Sequence, residues 1–164
     1  MEIKTINQML LKSSFFSTMD HSHLETIADC GRLVMYQPGD FLMREGDPAT
    51  NFFVVRSGDV RIESYIPSAG PTSIATITEG GVVGYSWLFS PYRCSFDAHV
   101  VTQVRAIALD GVCLRGKAEA DHEFGYQLMK RFAEIMVQRL QATRRQVLDL
   151  YAVKNPLEGN PDVY

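Results

Sequence analysis

The chain offers little to anchor a chemical or membrane reading. Its three cysteines, Cys30, Cys94 and Cys113, are odd in number, widely spaced and form no C-x-x-C pair, which argues against a disulfide framework and against a zinc site. On that ground a reducing cytoplasm is the expected compartment. No apolar run approaches bilayer-spanning length, so no membrane association is expected. The opening "MEIKTINQMLLKSS" has an early acid, Glu2, and no long apolar region before a small-residue cleavage site, which argues against a secretory signal. A net charge of −3 gives no bulk attraction to nucleic acid or an anionic surface. No nucleophile–base pairing or metal spacing stands out. The histidines are scattered, with His21 and His23 expected to face solvent, and Ser86 lies in "GYSWL" rather than in G-x-S-x-G. The chain therefore reads as a non-enzyme with no catalytic or metal-binding residues. One last absence is local: between Gly80 and Pro91 there is no charged side chain.

What is present is enough for one domain with a real core, since 46 % of the 164 residues are hydrophobic and 21 % charged. Three zones follow one another. To about Cys30 the chain reads as helical: Ile6, Met9, Leu10 and Leu11 make an apolar face, and "SHLE" offers Ser22 as an N-cap with Glu25 reaching back as a capping box. Leu24, Ile27 and Ala28 are then the buried side of a short helix. From about Arg32 to Asp110 the runs "RLVMY", "FLMR", "FFVVR", "DVRIESY", "TSIATIT", "DAHVVT" and "VRAIALD" read as short strands. Gly39-Asp40, Gly46-Asp47 and Gly58-Asp59 read as tight turns, and Pro67–Ser73 as a longer hairpin loop. The fold class is mainly β with flanking helices, a barrel, roll or sandwich.

The third zone is a long helix. Asp121 is its N-cap, and no glycine or proline interrupts it from Tyr126 to Asn155. Leu128, Phe132, Ile135, Met136, Leu140, Val147 and Tyr151 recur at helical spacing. Its first half is expected to cover the β zone. The stripe past Leu140 either folds back on the chain or forms a homodimer seam, and the seam is favoured because no other helix is long enough to cover it. Lys130, Arg131, Arg139, Arg144 and Arg145 read as a solvated face balanced by Glu134 and Asp149 rather than as a nucleic-acid stripe. The expected division is 1–120 for the lead-in and β region, 121–154 for the dimerisation helix and 155–164 for a tail.

This order, together with "YQPGDFLMREGDPATNFFVVRSGDVRI" and Gly84 opening a later cassette, resembles the cyclic nucleotide-binding domain of the catabolite activator protein family. The resemblance runs from about Phe15 to Tyr151, and "RLQATRRQV" resembles that family's dimerising helix. It implies a double-stranded β-helix (a jelly-roll-like roll), a cytoplasmic regulatory or sensory role, and a homodimer signalling to an unknown partner protein. It also implies a cradle for cAMP or cGMP. In that cradle a Gly-Glu pair meets the ribose, an Arg-Ser/Thr-Ala run pairs with the cyclic phosphate, and backbone N–H groups of a short helical turn favour the anion. The family's transcription factors carry a helix-turn-helix after the long helix. Here "KNPLEGNPDVY" leaves no room for one, so no direct DNA binding is expected.

The implied ligand residues are Gly84, Tyr85, Ser86, Trp87, Tyr92, Arg93, Cys94 and Thr143. Tyr85 stands where the glutamate belongs. Counting back from Ala98, Tyr92 takes the arginine slot, Arg93 the Ser/Thr slot and Cys94 the alanine slot. A slip of one residue would return Arg93 to the phosphate and flip its neighbours to the other face. Tyr85, Trp87, Phe89, Tyr92 and Phe96 make an aromatic mouth that either fills the cavity or stacks on a planar ligand. Cys94 reads as a buried filler, with a redox reporter beside Arg93 as the sharper reading. Thr143 aligns with the position that meets the base, against a plain helix threonine bonding its own backbone. Two functions stay open: a sensor whose roll binds a cyclic nucleotide, or a degenerate roll serving as a dimeric scaffold or binding another small ligand.

Overall fold

The structure, a computed structural model, describes residues 2–154. The stretch expected as a tail, 155–164, and the last residue of the expected helical run, Asn155, lie outside the described residues.

Two helices lead in, α1 (Glu2–Lys12) and α2 (His21–Ala28). The expected capping box at Ser22 is not formed. Asp20 is the N-cap, extended at φ −61°, ψ 146°, and no side chain caps the helix. The N–H groups of His23 and Leu24 already bond the Asp20 carbonyl, each at 3.0 Å. Ser22 therefore sits inside the helix, where its carbonyl accepts from Thr26 Oγ1 at 3.0 Å. Burial sets this start. His23 is only 8 % exposed and meets Phe124 edge-on at 5.7 Å, which overturns the solvent-facing expectation for that residue.

Every expected strand forms, and the alternation of branched residues explains why. They are β1 (Gly31–Tyr36), β2 (Phe41–Met43), β3 (Asn51–Ser57), β4 (Val60–Ile66), β5 (Gly70–Ile77), β6 (Val82–Val83), β7 (Asp97–Val100) and β8 (Val104–Asp110). They make two four-stranded sheets, β1-β8-β3-β6 and β2-β7-β4-β5, antiparallel at each pairing. The three Gly-Asp turns all carry positive φ at glycine, 93°, 87° and 90°. The hairpin loop is shorter than expected, because pairing of Ile66 with Gly70 draws the strands in to a turn at residues 67–69. Between the sheets Leu42, Phe53, Ile62, Val83, Phe96 and Ala98 belong to one buried cluster.

Residues past β8 form α3 (Gly111–Ala120), a helix the sequence reading missed. Asp110 caps it, its Oδ1 accepting from Cys113 N at 2.9 Å. Cys113 is bonded to Cys30 across 83 residues, with Cα atoms 5.8 Å apart. This corrects the reading of the cysteines as unpaired. Pairing of β1 with β8 aligns Gly31 with Leu109, and so brings the residue before β1 beside the first turn of α3. With two of the three thiols bonded, the cysteines no longer argue for a reducing compartment.

Asp121 caps α4 (His122–Lys154) as expected, its Oδ1 accepting from Phe124 N at 3.2 Å. The chain falls into two compact units that divide within α4, after Gln127. The first holds both sheets and α1–α3. In the second, Leu128 and Phe132 are buried, whereas Val137, Leu140, Val147 and Tyr151 are exposed.

Candidate ligand cradle

The cassette opens on Gly84, which no other residue could replace without strain. Its φ is +100°, and a Cβ there would lie 2.8 Å from Met43 Cε. Beyond it Ser86–Leu88 make one 3₁₀ turn, with Tyr85 before and Phe89 after. The aromatic residues do not form one mouth. Tyr85 is half-buried against the cluster between the sheets, with its ring 5.8 Å from that of Phe96 and its hydroxyl 3.1 Å from Ser95 Oγ. Trp87 is fully buried elsewhere, stacked on Phe52 at 5.2 Å. A Cβ on Gly111 would lie 2.8 Å from Trp87 Cβ, so the first residue of α3 must be glycine for the indole to seat. Phe89 and Tyr92 are exposed.

The register of Arg93 is fixed by alternation. Cys94, Phe96, Ala98 and Val100 are buried, while Arg93 and Ser95 are exposed and Asp97 and His99 half-exposed. The chain is extended here, since Arg93 bridges to Pro48 and β7 pairs with β2 and β4. Arg93 therefore belongs to the outward set, and the slip that would turn it inward does not occur. Its Nη1 donates to the Gly46 carbonyl at 3.4 Å. Cys94, in the alanine slot, is buried, with its N–H on the Asp47 carbonyl at 2.8 Å and its own carbonyl taking the Gly46 N–H at 2.8 Å. Asp97 steadies the same turn by accepting from Glu45 N at 2.8 Å.

Between β2, β3 and Cys94 lies a cavity of about 100 Å³, lined among others by Leu42, Met43, Asp47, Asn51 and Phe53. Among the described residues Asp47, itself exposed, is its only charged lining residue. Burial pushes the Cys94 thiol up from its ordinary pKa, and the carboxylate of Asp47 pushes it further.

Two residues that sequence reasoning passed over shape this region. Asp47 was read only as turn punctuation, yet it lines the cavity. Arg115, on α3, lies with its guanidinium carbon 4.1 Å from the centre of the Tyr92 ring, and Nη1 donates to the Trp87 carbonyl. Tyr92 needs such support, because its φ is +54°, a left-handed value uncommon for a tyrosine. Its carbonyl also accepts from Ala49 N at 2.8 Å, and its N–H donates to the Phe89 carbonyl at 2.9 Å. Nothing in local spacing announces Arg115, since α3 itself was not foreseen. Gly84, Tyr85, Ser86, Trp87, Tyr92, Arg93 and Cys94 thus follow one another along the chain without converging: Trp87 is buried against Phe52, Tyr92 is exposed, Arg93 faces outward, and of the seven Cys94 lines the cavity. Thr143 belongs to the second unit and is exposed on α4.

Among the described residues no group of three or more His, Cys, Asp or Glu could hold a metal ion. No helix among them is long and apolar enough to cross a membrane.

Residues 33–121 match the family model described as the cyclic nucleotide-binding domain. Over 145 residues the chain is 22 % identical to the CRP-like cAMP-activated global transcriptional regulator of Mycobacterium tuberculosis, covering 88 % of this chain and 63 % of that one. The chain thus spans less than two thirds of that relative's length. A cyclic nucleotide-binding domain from Methylobacillus flagellatus has a TM-score of 0.76 to it at 16 % identity, over 90 % of this chain and 83 % of that one. The regulatory subunit of a cAMP-independent protein kinase A from Trypanosoma cruzi, bound to guanosine, has a TM-score of 0.62 at 19 % identity, over 76 % and 48 %. Both structural likenesses are of fold.

Proposed function

Since the chain belongs to the cyclic nucleotide-binding domain family, we propose that it is a regulatory domain whose cradle no longer takes cAMP or cGMP at signalling concentrations and whose output is pairing through α4. The observation that carries this reading is the cavity lining: among the described residues its only charged group is the carboxylate of Asp47. A cyclic phosphate placed there would meet a like charge, while the nearest cassette cation, Arg93, faces outward. The cavity, at about 100 Å³, also falls below the roughly 300–1,000 Å³ of sites that bury a drug-sized ligand, the size class of a cyclic nucleotide.

Magnitudes support the choice. A hydrogen bond to a charged group contributes on the order of 1.5–3 kcal/mol. Tyr85 in place of a glutamate therefore costs the ribose contact about ten- to a hundredfold in affinity. An outward Arg93 forfeits the bidentate phosphate contact as well. The Trypanosoma cruzi subunit belongs to a protein kinase A described as cAMP-independent, so this fold also occurs where cAMP is not the signal, although that subunit is bound to guanosine. The reading assigns no catalytic group.

Pairing is supported by the second unit. Val137, Leu140, Val147 and Tyr151 fall at alternating three- and four-residue steps, with Arg144 at the remaining step, which is the spacing of a two-stranded seam. All four apolar members are exposed. Calorimetric titration with cAMP and with cGMP, run beside light scattering on the same purified protein, tests both halves. The expected outcome is no heat of binding and a dimer that Leu140→Glu with Val147→Glu turns into a monomer. Micromolar binding that Arg93→Ala abolishes would restore the sensor reading, and a double variant that stays dimeric would remove the seam.

A further inference from the structure

A second cavity, of about 190 Å³, lies between the end of α1, β3 and the turn joining β5 to β6. Its walls combine apolar and cationic groups. Met9 and Val54 are apolar lining, and Lys12 and Arg56 supply two positive charges. Neither cation has an ion-pair partner among the described residues. Arg56 sits at a bulge in β3. In the β3–β8 ladder Val55 faces Ala106 and Ser57 faces Arg105, which leaves Arg56 unopposed. Such bulges redirect a side chain and are common beside functional sites. The buried Ser13, 3 % exposed, ties the end of α1 to the turn, its hydroxyl donating to the Gly80 carbonyl at 3.4 Å. Glu79, exposed, is the one acid on the lining among the described residues.

We propose that this cavity binds a small organic monocarboxylate, its carboxylate between Arg56 and Lys12 and its short apolar body against Met9 and Val54. Three features select that class. The lining carries two cations and one acid, a net charge that suits one negative charge and not two. A guanidinium meets a carboxylate through two parallel N–H donors. The volume, at a liquid-water share of about 30 Å³ per molecule, holds on the order of six non-hydrogen atoms. The site sits where an occupant bears on the cassette. Gly80 N donates to the Val55 carbonyl at 2.8 Å and Val55 N to the Gly81 carbonyl at 2.9 Å, at the root of the two-residue strand that leads to Gly84. The inference does not depend on how the cradle itself is read.

The test is an amide-resolved NMR titration with sodium butanoate against sodium chloride at matched ionic strength. Saturable shifts at Ser13, Arg56, Gly80 and Gly81, in the millimolar range, are expected. Arg56→Gln should weaken binding about tenfold or more, and Lys12→Gln should weaken it as well, so that a fold defect in one variant leaves the other informative. Glu79→Gln should tighten binding by about two- to fivefold, the scale of an exposed charge. Non-saturating shifts, affinity unchanged in both cation variants, tighter binding of inorganic phosphate than of butanoate, or weaker binding in Glu79→Gln would each overturn the proposal. The last result would point to a zwitterion held through its ammonium.

Discussion

The two sides of β6 make the most instructive contrast in the molecule. On one side Gly84 leads into the cassette, where Tyr85 and Phe96 pack into the core and the small cavity carries only the charge of Asp47. On the other, Gly80 borders a cavity nearly twice as large, lined by two cations. The family resemblance marks the first side as the place for an anion, yet two cations with no ion-pair partner among the described residues line the second. A fold positions backbone, whereas affinity belongs to whichever side chains face the space. Shared architecture and shared ligand are therefore separate questions in this chain.

The sharpest way to break the contrast is to remove Trp87. It is the largest fully buried side chain of the cassette, and it packs on Phe52 rather than in the cluster around Phe53 that borders the cradle. Trp87→Ala is expected to destabilise the protein by about 3–5 kcal/mol, the cost of truncating a buried aromatic. Chemical denaturation would measure it. The same variant, kept below its unfolding midpoint, should gain no affinity for cAMP in calorimetry. A gain would mean that the indole holds the cradle shut, and the two sides would then share one control.

How much of this was legible without coordinates differs from element to element. The strands were, because branched residues alternate on a period of two and only one face can be buried. The register of Arg93 was also written in the chain: Cys94, Phe96, Ala98 and Val100 form an apolar alternation that places residue 93 on the opposite face. That alternation agrees with the aligned slots, in which Arg93 takes the Ser/Thr place, and speaks against the slip. The helix α3 was not legible, since Gly111 and Gly116 dilute a short segment with only Leu114 and Gly111 fully buried. The Cys30–Cys113 pairing was out of reach for a different reason, as it depends on the β1–β8 register across 83 residues. Asp20 displaced the Ser22 cap because burial of His23, a contact made with Phe124 a hundred residues on, fixes where α2 begins. Local signals were read well, and what failed was whatever a distant partner decides.

Arg115 sharpens the contrast by a smaller step. Its guanidinium lies over Tyr92 and donates to the Trp87 carbonyl, so one side chain braces both ends of the cassette. A cation–π contact contributes about 0.5–2 kcal/mol and a hydrogen bond from a charged donor about 1.5–3 kcal/mol. The two share one group and do not add. Arg115→Ala is therefore expected to cost about 2 kcal/mol in denaturant unfolding, with amide shifts concentrated at residues 87–93. Arg115→Lys should recover little, because an ammonium lacks the planar fork that stacks and donates at once. Full recovery by lysine would reduce the brace to simple charge.

The smallest effect tests the acid on the cradle lining, Asp47. The thiolate, not the thiol, attacks alkylating agents. Burial first and Asp47 second both favour the neutral thiol of Cys94, so its pKa is raised. A thiol whose pKa is higher folded than unfolded stabilises the fold below the unfolded-state value, and that contribution fades as pH rises toward the folded one. Cys94 is the free cysteine of the chain, so iodoacetamide labelling reads it directly. At mildly alkaline pH, labelling of the native protein should lag that of the urea-unfolded chain, and the lag should shrink as pH increases. Asp47→Asn removes only the second cause and leaves burial in place, so it should speed native labelling by a few-fold, well short of the unfolded rate. An unchanged rate would mean that the Asp47 carboxylate exerts no field at Cys94. The like-charge argument against an anion in the cradle would then fall, and with it the contrast to the cationic cavity beside Gly80.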